Sequence, residues 1–597
     1  MRRSTYAAGA LAVMMLATAS PAPGQQRGDQ RGEKFTRSQK IGYLGQTSRS
    51  AMARNVLSRL KNRTRARQVE NSVDRVLLWH EILLDTGAID HTPDPDSDAV
   101  GFENGGPTRT SRCLAMVQIA VFDAANAIDG RYAGYNEIDP PGGGASLDAA
   151  VAYASHDVQA ALYPAQAERL AALLESDLAQ IDADPEALAA GRAIGEAAAE
   201  AILARRADDG SAHSEPDWGQ GGQVADGGAA FDGTPINAGS TDVFQWEPDP
   251  LTPPTSGDFD LALGAYWGGV TPFALGSGDQ FRIGPPPEPG SMAYVTGWWE
   301  AHMYGASADT SLSLSTPESR FIGNFWGYDA TPLLGTPPRM YNQIAATVAV
   351  SEGIDDPVDM ARYLALVNVG LADAGIAAWD SKYYYNYWRP VTGMRRSDGV
   401  DPEEEPSSTL GDNPVSVLLQ SARRSARRVQ QTDGRAVTLE NEEWKPVGIS
   451  VINTREPITP TPPFPAYPSG HSTFGAATFE VMRSFFSDDT RFTFVSEEYN
   501  GEGVDPLGVP RPLVPVRFRS LTEAQTQNGK SRIYNGSHWP WDDEGGQELG
   551  VNVAQHLLNA AAFRPVNNRG PQGGRDGRDD SGRESGDRRG GADGRRR

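Results

Sequence analysis

Apolar positions along the chain recur mostly at helical spacing. In residues 71–87 and 109–128 they follow the three-to-four-residue period of an amphipathic helix, which predicts two helices. Thr108 or Thr110 stands where a side chain caps the second of these. Residues 147–206 are Ala-rich and also predict helix. Helical spacing resumes near 291–304, 338–352 and 357–381, then at 472–486 and 543–561. Between these segments, about 207–290 is rich in Gly, Pro and Asp, and 398–416 reads as a loop. A loop as long as the first is uncommon unless it carries function, so it is expected to wrap the helices or to build a substrate funnel. No run in the body is expected to reach the length of a membrane span.

The two ends differ from the body. Arg2 and Arg3 precede a short apolar run from Ala7 to Ala19, and small residues follow, which predicts an export signal cleaved between Ala19 and Gln25. The expected location is therefore secreted or periplasmic, by general secretion, since the rest of a twin-arginine signal is missing. Residues 27–67 hold twelve Lys or Arg against two acidic residues, and 51–67 predict a basic helix lying on the body or a solvated linker. The whole chain carries a net charge of −23, so the segment between its basic ends is strongly acidic. That excludes nucleic acid as an expected partner. A single cysteine, Cys113, rules out an intrachain disulfide and a cysteine metal cluster. It lies in an apolar stretch and is expected to be buried as a small hydrophobe. Asp94 to Asp98 resembles the start of a calcium loop, but the required Gly and terminal Glu are not in place, so a solvated acidic loop is expected.

Three short segments hold the chemistry. The first runs from Lys382 to Arg389 and Pro390. On one helix, Lys and Arg seven apart share a face, and Pro390 favours an end to the helix there. Two cations so placed can clamp one oxyanion, although alone they are more simply surface charges. The second segment is Pro463-Phe464-Pro465-Ala466-Tyr467-Pro468-Ser469-Gly470-His471. It predicts a tight turn at the start of a helix. Ser469 offers a hydroxyl, Gly470 a close backbone N–H, and His471 a proton donor or acceptor beside any bound anion. The third segment runs from Ser531 and Arg532 to His538 and Asp542. If the turn across Pro540 is helical, the Asp542 carboxylate holds the far N–H of the His538 ring. Together these groups suit a tetrahedral or trigonal-bipyramidal oxyanion.

The order K-x6-R-P, P-S-G-H and S-R-x5-H-x3-D resembles the type 2 phosphatidic acid phosphatase and vanadium haloperoxidase superfamily. Phe464 to His471 and Ser531 to Trp539 are most similar to vanadium chloroperoxidases of the fungal type. Trp379 and Phe464 match positions that line that family's pocket, and Ser111 to Val117 resembles related bacterial members. The resemblance implies an all-α fold of two four-helix bundles with long irregular connecting loops and the active site in the C-terminal bundle. It implies vanadate as cofactor, with His538 binding vanadium directly. Lys382, Arg389, Arg532, Ser469 and the Gly470 amide would hold its oxygens, and His471 would handle protons. It further implies hydrogen peroxide, halide and a small organic acceptor as partners, with hypohalous acid as product. The organisation expected is a signal peptide at 1–24, a basic polar linker or arm at 25–67, and a helical region with long loops at 68–330. A C-terminal bundle carrying the site follows at 331–565, and a Gly/Arg/Asp-rich disordered tail at 566–597.

Two other functions fit the same residues. In an acid phosphatase His538 would attack phosphorus and His471 would protonate the leaving alcohol. A non-catalytic oxyanion-binding protein needs neither His471 nor the support of Asp542. His80, His91, His156, His213, His302 and His556 lie outside the three segments and are expected to be packed or solvated. Halide preference, organic acceptor and oligomeric state are not legible in the sequence.

Overall fold

The structure is a computed structural model that describes residues 47–62, 67–92, 102–216, 244–251, 261–288, 291–308, 310, 313–396, 444–455 and 461–566. The expected signal peptide, the Asp94–Asp98 and 398–416 loops, the tail beyond 566 and much of 207–290 lie outside the described residues. Among the described residues there are fourteen α-helices and one two-stranded sheet.

Helix α1, Ala51–Asn62, buries Ala53, Leu57 and Leu60, and its Arg59 pairs with Glu502. In α2, Ser72–Asp90, the Asn71 side chain caps the start by accepting from the Asp74 N–H. Helix α3, Pro107–Asp129, starts differently from the sequence expectation. Its cap is Gly106 at φ 88°, with Pro107 in the first turn, and neither Thr108 nor Thr110 caps it. The Thr110 hydroxyl instead donates back to the Gly106 carbonyl at 2.8 Å. The Ala-rich stretch is three helices: α4, Leu147–Leu162, α5, Ala167–Leu178, and α6, Pro185–Arg205. Pro164 interrupts the first junction and the Asp184–Pro185 start defines the second. Helices α2, α3, α4 and α6 pack into the N-terminal bundle, and Cys113 is fully buried in α3.

The chain continues through α7, Met292–Tyr304, α8, Pro317–Phe325, and α9, Pro337–Ser351. Then come α10, Pro357–Tyr385, and α11, Pro390–Arg396, followed by α12, Gly470–Phe485. Strands β1, Phe492–Phe494, and β2, Val516–Phe518, precede α13, Leu521–Tyr534, and α14, Pro540–Leu558. Helices α10, α12, α13 and α14 form the C-terminal bundle, with α9 against α10 and α12. Gly546 and Gly550 let α14 lie against α12. A Cβ there would meet the Ser469 and Thr473 carbonyls at 2.7 and 2.3 Å. The sheet was not expected. Its strands are three residues each, too short to show alternation, and they bury Phe492, Phe494 and Phe518.

Helix α10 is the spine that joins the bundles, because it packs along α3 on one side and along α12 and α14 on the other. Contrary to the sequence expectation, α3 and α10 are long and apolar enough by composition to cross a membrane. Their windows are 83% and 94% buried inside the protein, where each core helix is covered by its neighbours. Helix α10 also carries a tether for the segment before it. Asp373 accepts from the Phe273, Ala274 and Leu275 N–H groups at 2.6, 2.7 and 3.0 Å. Replacing Asp373 with Ala strips the acceptor from three N–H groups, and a cost of about 2–4 kcal/mol is expected. Urea denaturation checks this, and an unchanged midpoint would show that the tether contributes nothing.

Candidate active site

The site forms where the end of α10, the start of α12 and the junction of α13 with α14 meet. Lys382 is in the last turn of α10, and the helix stops at Asn386, whose left-handed backbone (φ 44°) caps it. Arg389 therefore lies outside the helix, and the expectation that it shares a helical face with Lys382 is corrected. The two cations meet because the chain turns back at Asn386, not because of helical spacing. Both are fully buried.

The proline-rich turn 462–468 satisfies them. Lys382 Nζ donates to the carbonyls of Pro465, Ala466 and Pro468, and Arg389 Nε donates to the Phe464 carbonyl at 2.9 Å. Proline has no N–H, so this turn presents carbonyls inward with few donors of its own to satisfy. It is fixed by Ala466 N donating to the Tyr387 carbonyl and by Ser469 N donating to the Asp542 carbonyl, at 2.9 and 2.8 Å. Ser469 then caps α12 by accepting from the Ser472 N–H at 3.3 Å. Gly470 lines the cavity, and a Cβ there would lie 3.4 Å from the Trp379 ring.

His538 stands just before α14. Its Nδ1 is 2.9 Å from Asp542 Oδ2, which also accepts from the Trp539 N–H. The turn across Pro540 is helical, as the hold of Asp542 on His538 requires. Pro540 begins the helix, and Asp542 reaches back across its first turn to the residue before the cap. With Nδ1–H held by the carboxylate, His538 Nε2 carries the lone pair, and Arg389 Nη1 approaches it at 3.4 Å. Burial, then Arg389 and Lys382, push the ring well below the usual imidazole range, so it is neutral. Burial pushes the Asp542 carboxyl up to about 7.

Arg532 ends α13 and pairs with Asp329, Nη2 to Oδ1, at 2.8 Å. His471, in the first turn of α12, has Nε2 at 2.8 Å from the Gly327 carbonyl and 3.8 Å from Asp329 Oδ1. Burial, followed by the nearby Arg532, holds its ring neutral as well. Asp329, His471 and His538 line one cavity with Gly470, Trp379 and Phe464. The Trp379 and Phe464 rings stand 4.8 Å apart, and Lys382 Nζ lies over both.

Every site residue expected from the sequence thus lies in or against one buried cradle. Asp329 and Gly327 were not expected. Asp329 sits in the apolar stretch Phe325-Trp-Gly-Tyr-Asp-Ala-Thr-Pro, and a lone acid in such a run is the signal that it needs a buried cation. The other histidines stay outside the cradle; His80 and His91, for example, are buried in α2 and at its end and pushed down to about 4, chiefly by burial. Among the described residues no cluster of three or more His, Cys, Asp or Glu forms a cation site. The cradle gathers three basic side chains, Lys382, Arg389 and Arg532, against the carboxyl groups of Asp329 and Asp542. That composition asks for an anion.

The family described as the VCPO second helical-bundle domain matches residues 362–565. The chain is also 26% identical over 547 residues to the vanadium chloroperoxidase of Curvularia inaequalis, covering 80% of this chain and 81% of that one. By these matches the chain is similar to vanadium haloperoxidases. Its fold is shared with a bacterial vanadium-dependent iodoperoxidase, at TM-score 0.55 and 21% identity, covering 83% of this chain and 96% of that one. It is shared also with a bacterial vanadium-dependent chloroperoxidase, at TM-score 0.52 and 16% identity, covering 77% and 95%. The vanadium chloroperoxidase domain match runs from α10 to the end of α14. It takes in Lys382, Arg389, the 463–471 turn, Arg532 and His538, and leaves out Asp329.

A tetrahedral oxyanion is expected to stabilise the fold by balancing the buried cations. At about a hundredfold excess over Kd, inorganic phosphate should add about 2–3 kcal/mol. Thermal unfolding in phosphate against chloride at equal ionic strength reads this, and Arg532→Ala should lose most of the gain. Equal melting temperatures in the two salts would mean that the cradle does not bind oxyanions.

Proposed function

We propose that this chain is a vanadate-dependent haloperoxidase that uses hydrogen peroxide to oxidise halide to hypohalous acid, which halogenates small organic acceptors. The observation that carries the reading is the Nδ1-anchored His538 facing a buried cradle of Lys382, Arg389 and Arg532, with His471 alongside. The residues fit vanadate on their own chemistry. His538 Nε2 offers a neutral nitrogen ligand, and Arg532 Nε is a buried donor with no hydrogen-bond partner among the described residues. His538 would bind vanadium, and Arg389, Arg532, Lys382, the Ser469 hydroxyl and the Gly470 amide would hold the oxygens. When bound, vanadate supplies a Lewis acid that takes up peroxide and makes it electrophilic toward halide.

The chain's own residues do the rest. The Asp542 carboxylate fixes the His538 tautomer and raises its basicity. The Arg389 and Arg532 guanidinium groups make the cradle cationic. His471 gives Nε2–H to the Gly327 carbonyl, so Nδ1 carries the lone pair that would take a proton from incoming peroxide and return it. Trp379 and Phe464 wall the cradle with apolar surface, which limits water and strengthens every charge inside. The start of the chain, Arg2-Arg3 followed by Ala7 to Ala19, supports export to the periplasm or the medium.

The deciding experiment loads the protein with vanadate, adds peroxide and bromide, and follows bromination of a phenolic dye. Aryl phosphate hydrolysis is measured in parallel without vanadate. Vanadate-dependent bromination is expected; hydrolysis without bromination would replace the reading with an acid phosphatase. Two variants test the roles. Asp542→Ala should weaken vanadate binding about tenfold to a hundredfold, and an affinity equal to wild type would remove Asp542 from the site. His471→Ala should keep vanadate yet lose about a hundredfold in halogenation, more for chloride than for bromide, with one limb of the pH profile gone. Unchanged rates at full vanadium occupancy would reduce His471 to a structural residue.

A further inference from the structure

We propose that Glu498 is a positioning residue for the oxyanion site, setting His471 and Arg532 through the 327–329 loop. The inference rests on the oxyanion-site reading above. Glu498 lies in the turn after β1, is fully buried, and touches neither His471 nor Arg532 in any hydrogen bond. Its two oxygens face the back of the loop. Oε1 accepts from the Tyr328 N–H at 3.2 Å, and Oε2 accepts from Ser450 Oγ at 2.7 Å and from Arg511 Nη1 at 2.6 Å.

Two paths lead from those oxygens to the site. Along the first, the Tyr328 N–H bond fixes the Gly327–Tyr328 peptide, whose carbonyl accepts from His471 Nε2 at 2.8 Å. The Gly327 carbonyl therefore selects the His471 tautomer. Along the second, the same bond to Tyr328 holds the residue next to Asp329 in the chain, and Asp329 pairs with Arg532 at 2.8 Å. One carboxylate thus ties down the partners of both the acid–base histidine and an anion-binding guanidinium.

The backbone is built for this contact. Tyr328 and Ala330 flank Asp329 at φ 51° and 61°, a left-handed conformation that side chains rarely adopt and that needs outside support. Gly327 leaves room for the carboxylate, since a Cβ there would lie 2.6 Å from Glu498 Oε1. Tyr328 is held at its other end as well, its hydroxyl accepting from the Glu497 N–H at 2.9 Å and donating to Gln343 at 2.8 Å. Burial, partly offset by Arg511 and Ser450, raises the Glu498 carboxyl to about 7, a cost that a residue serving only to fill space has no reason to carry.

The test titrates vanadate and inorganic phosphate separately into wild type, Glu498→Ala, Glu498→Gln and Asp373→Ala, reading Kd by calorimetry and Tm in parallel. Glu498→Ala should loosen both anions about tenfold to a hundredfold. Glu498→Gln should recover most of that loss, because its amide oxygen still accepts from Tyr328. Asp373→Ala should lower Tm with no change in Kd, which separates positioning from general destabilisation. Wild-type affinity in a folded Glu498→Ala, or an equal affinity loss in Asp373→Ala, would overturn the proposal. If Glu498→Ala does not fold, Arg511→Gln decides: a severalfold loss supports the proposal and unchanged affinity overturns it. A wild type that binds both anions but does not brominate defeats the haloperoxidase reading alone. A wild type that binds neither anion removes the site and this inference together.

Discussion

Burying Lys382, Arg389 and Arg532 together at one site is the constraint around which the C-terminal bundle is arranged. Buried like charges repel strongly in a low-dielectric interior, and each needs nearby dipoles or counter-charges. The protein answers with carbonyls more than with carboxylates. Four carbonyls of the Pro-rich turn and that of Ser537 receive Lys382 and Arg389, and Asp329 receives Arg532. Carbonyl dipoles lower the cost of holding a cation without cancelling its charge, so the cradle stays positive toward a ligand. Full pairing with carboxylates would have given a quiet ion-pair cluster with little attraction for an anion.

The same constraint explains the local structure. Helix α10 must end early, at Asn386, so that Arg389 can turn back toward Lys382. The turn at 462–468 must be proline-rich, because a segment offering that many inward carbonyls would otherwise bury unpaired N–H groups. Helix α14 must start at Pro540, since its first turn is what brings the Asp542 carboxylate under His538. Helices α12 and α14 approach closely at Gly546 and Gly550, which keeps His471 and His538 on the same cavity.

Much of this was legible in the sequence, for physical reasons that differ by element. The long helices announce themselves through apolar period, and α3 and α10 kept their expected places within a few residues. Lys382, Arg389, Ser469, Gly470, His471, Arg532, His538 and Asp542 were found because they sit in short motifs of rare residue types. The geometry between motifs was less legible. Lys382 and Arg389 looked like helical neighbours, yet the helix breaks between them, and nothing in their spacing reveals a left-handed Asn386. Asp329, Gly327 and Glu498 carry no motif. They reach the site through tertiary contacts between segments more than 120 residues apart in the chain, which one-dimensional patterns do not record.

As a haloperoxidase the protein would use His538 Nε2 as its metal ligand, made basic by Asp542 inside the buried cradle. X-ray absorption at the vanadium edge, on protein loaded with one equivalent of vanadate, tests this most directly. The expected result is the scattering signature of an imidazole nitrogen bonded to vanadium in wild type, absent in His538→Ala at matched vanadium content. A wild-type spectrum with oxygen neighbours alone, or an imidazole signature that survives in His538→Ala, would contradict it.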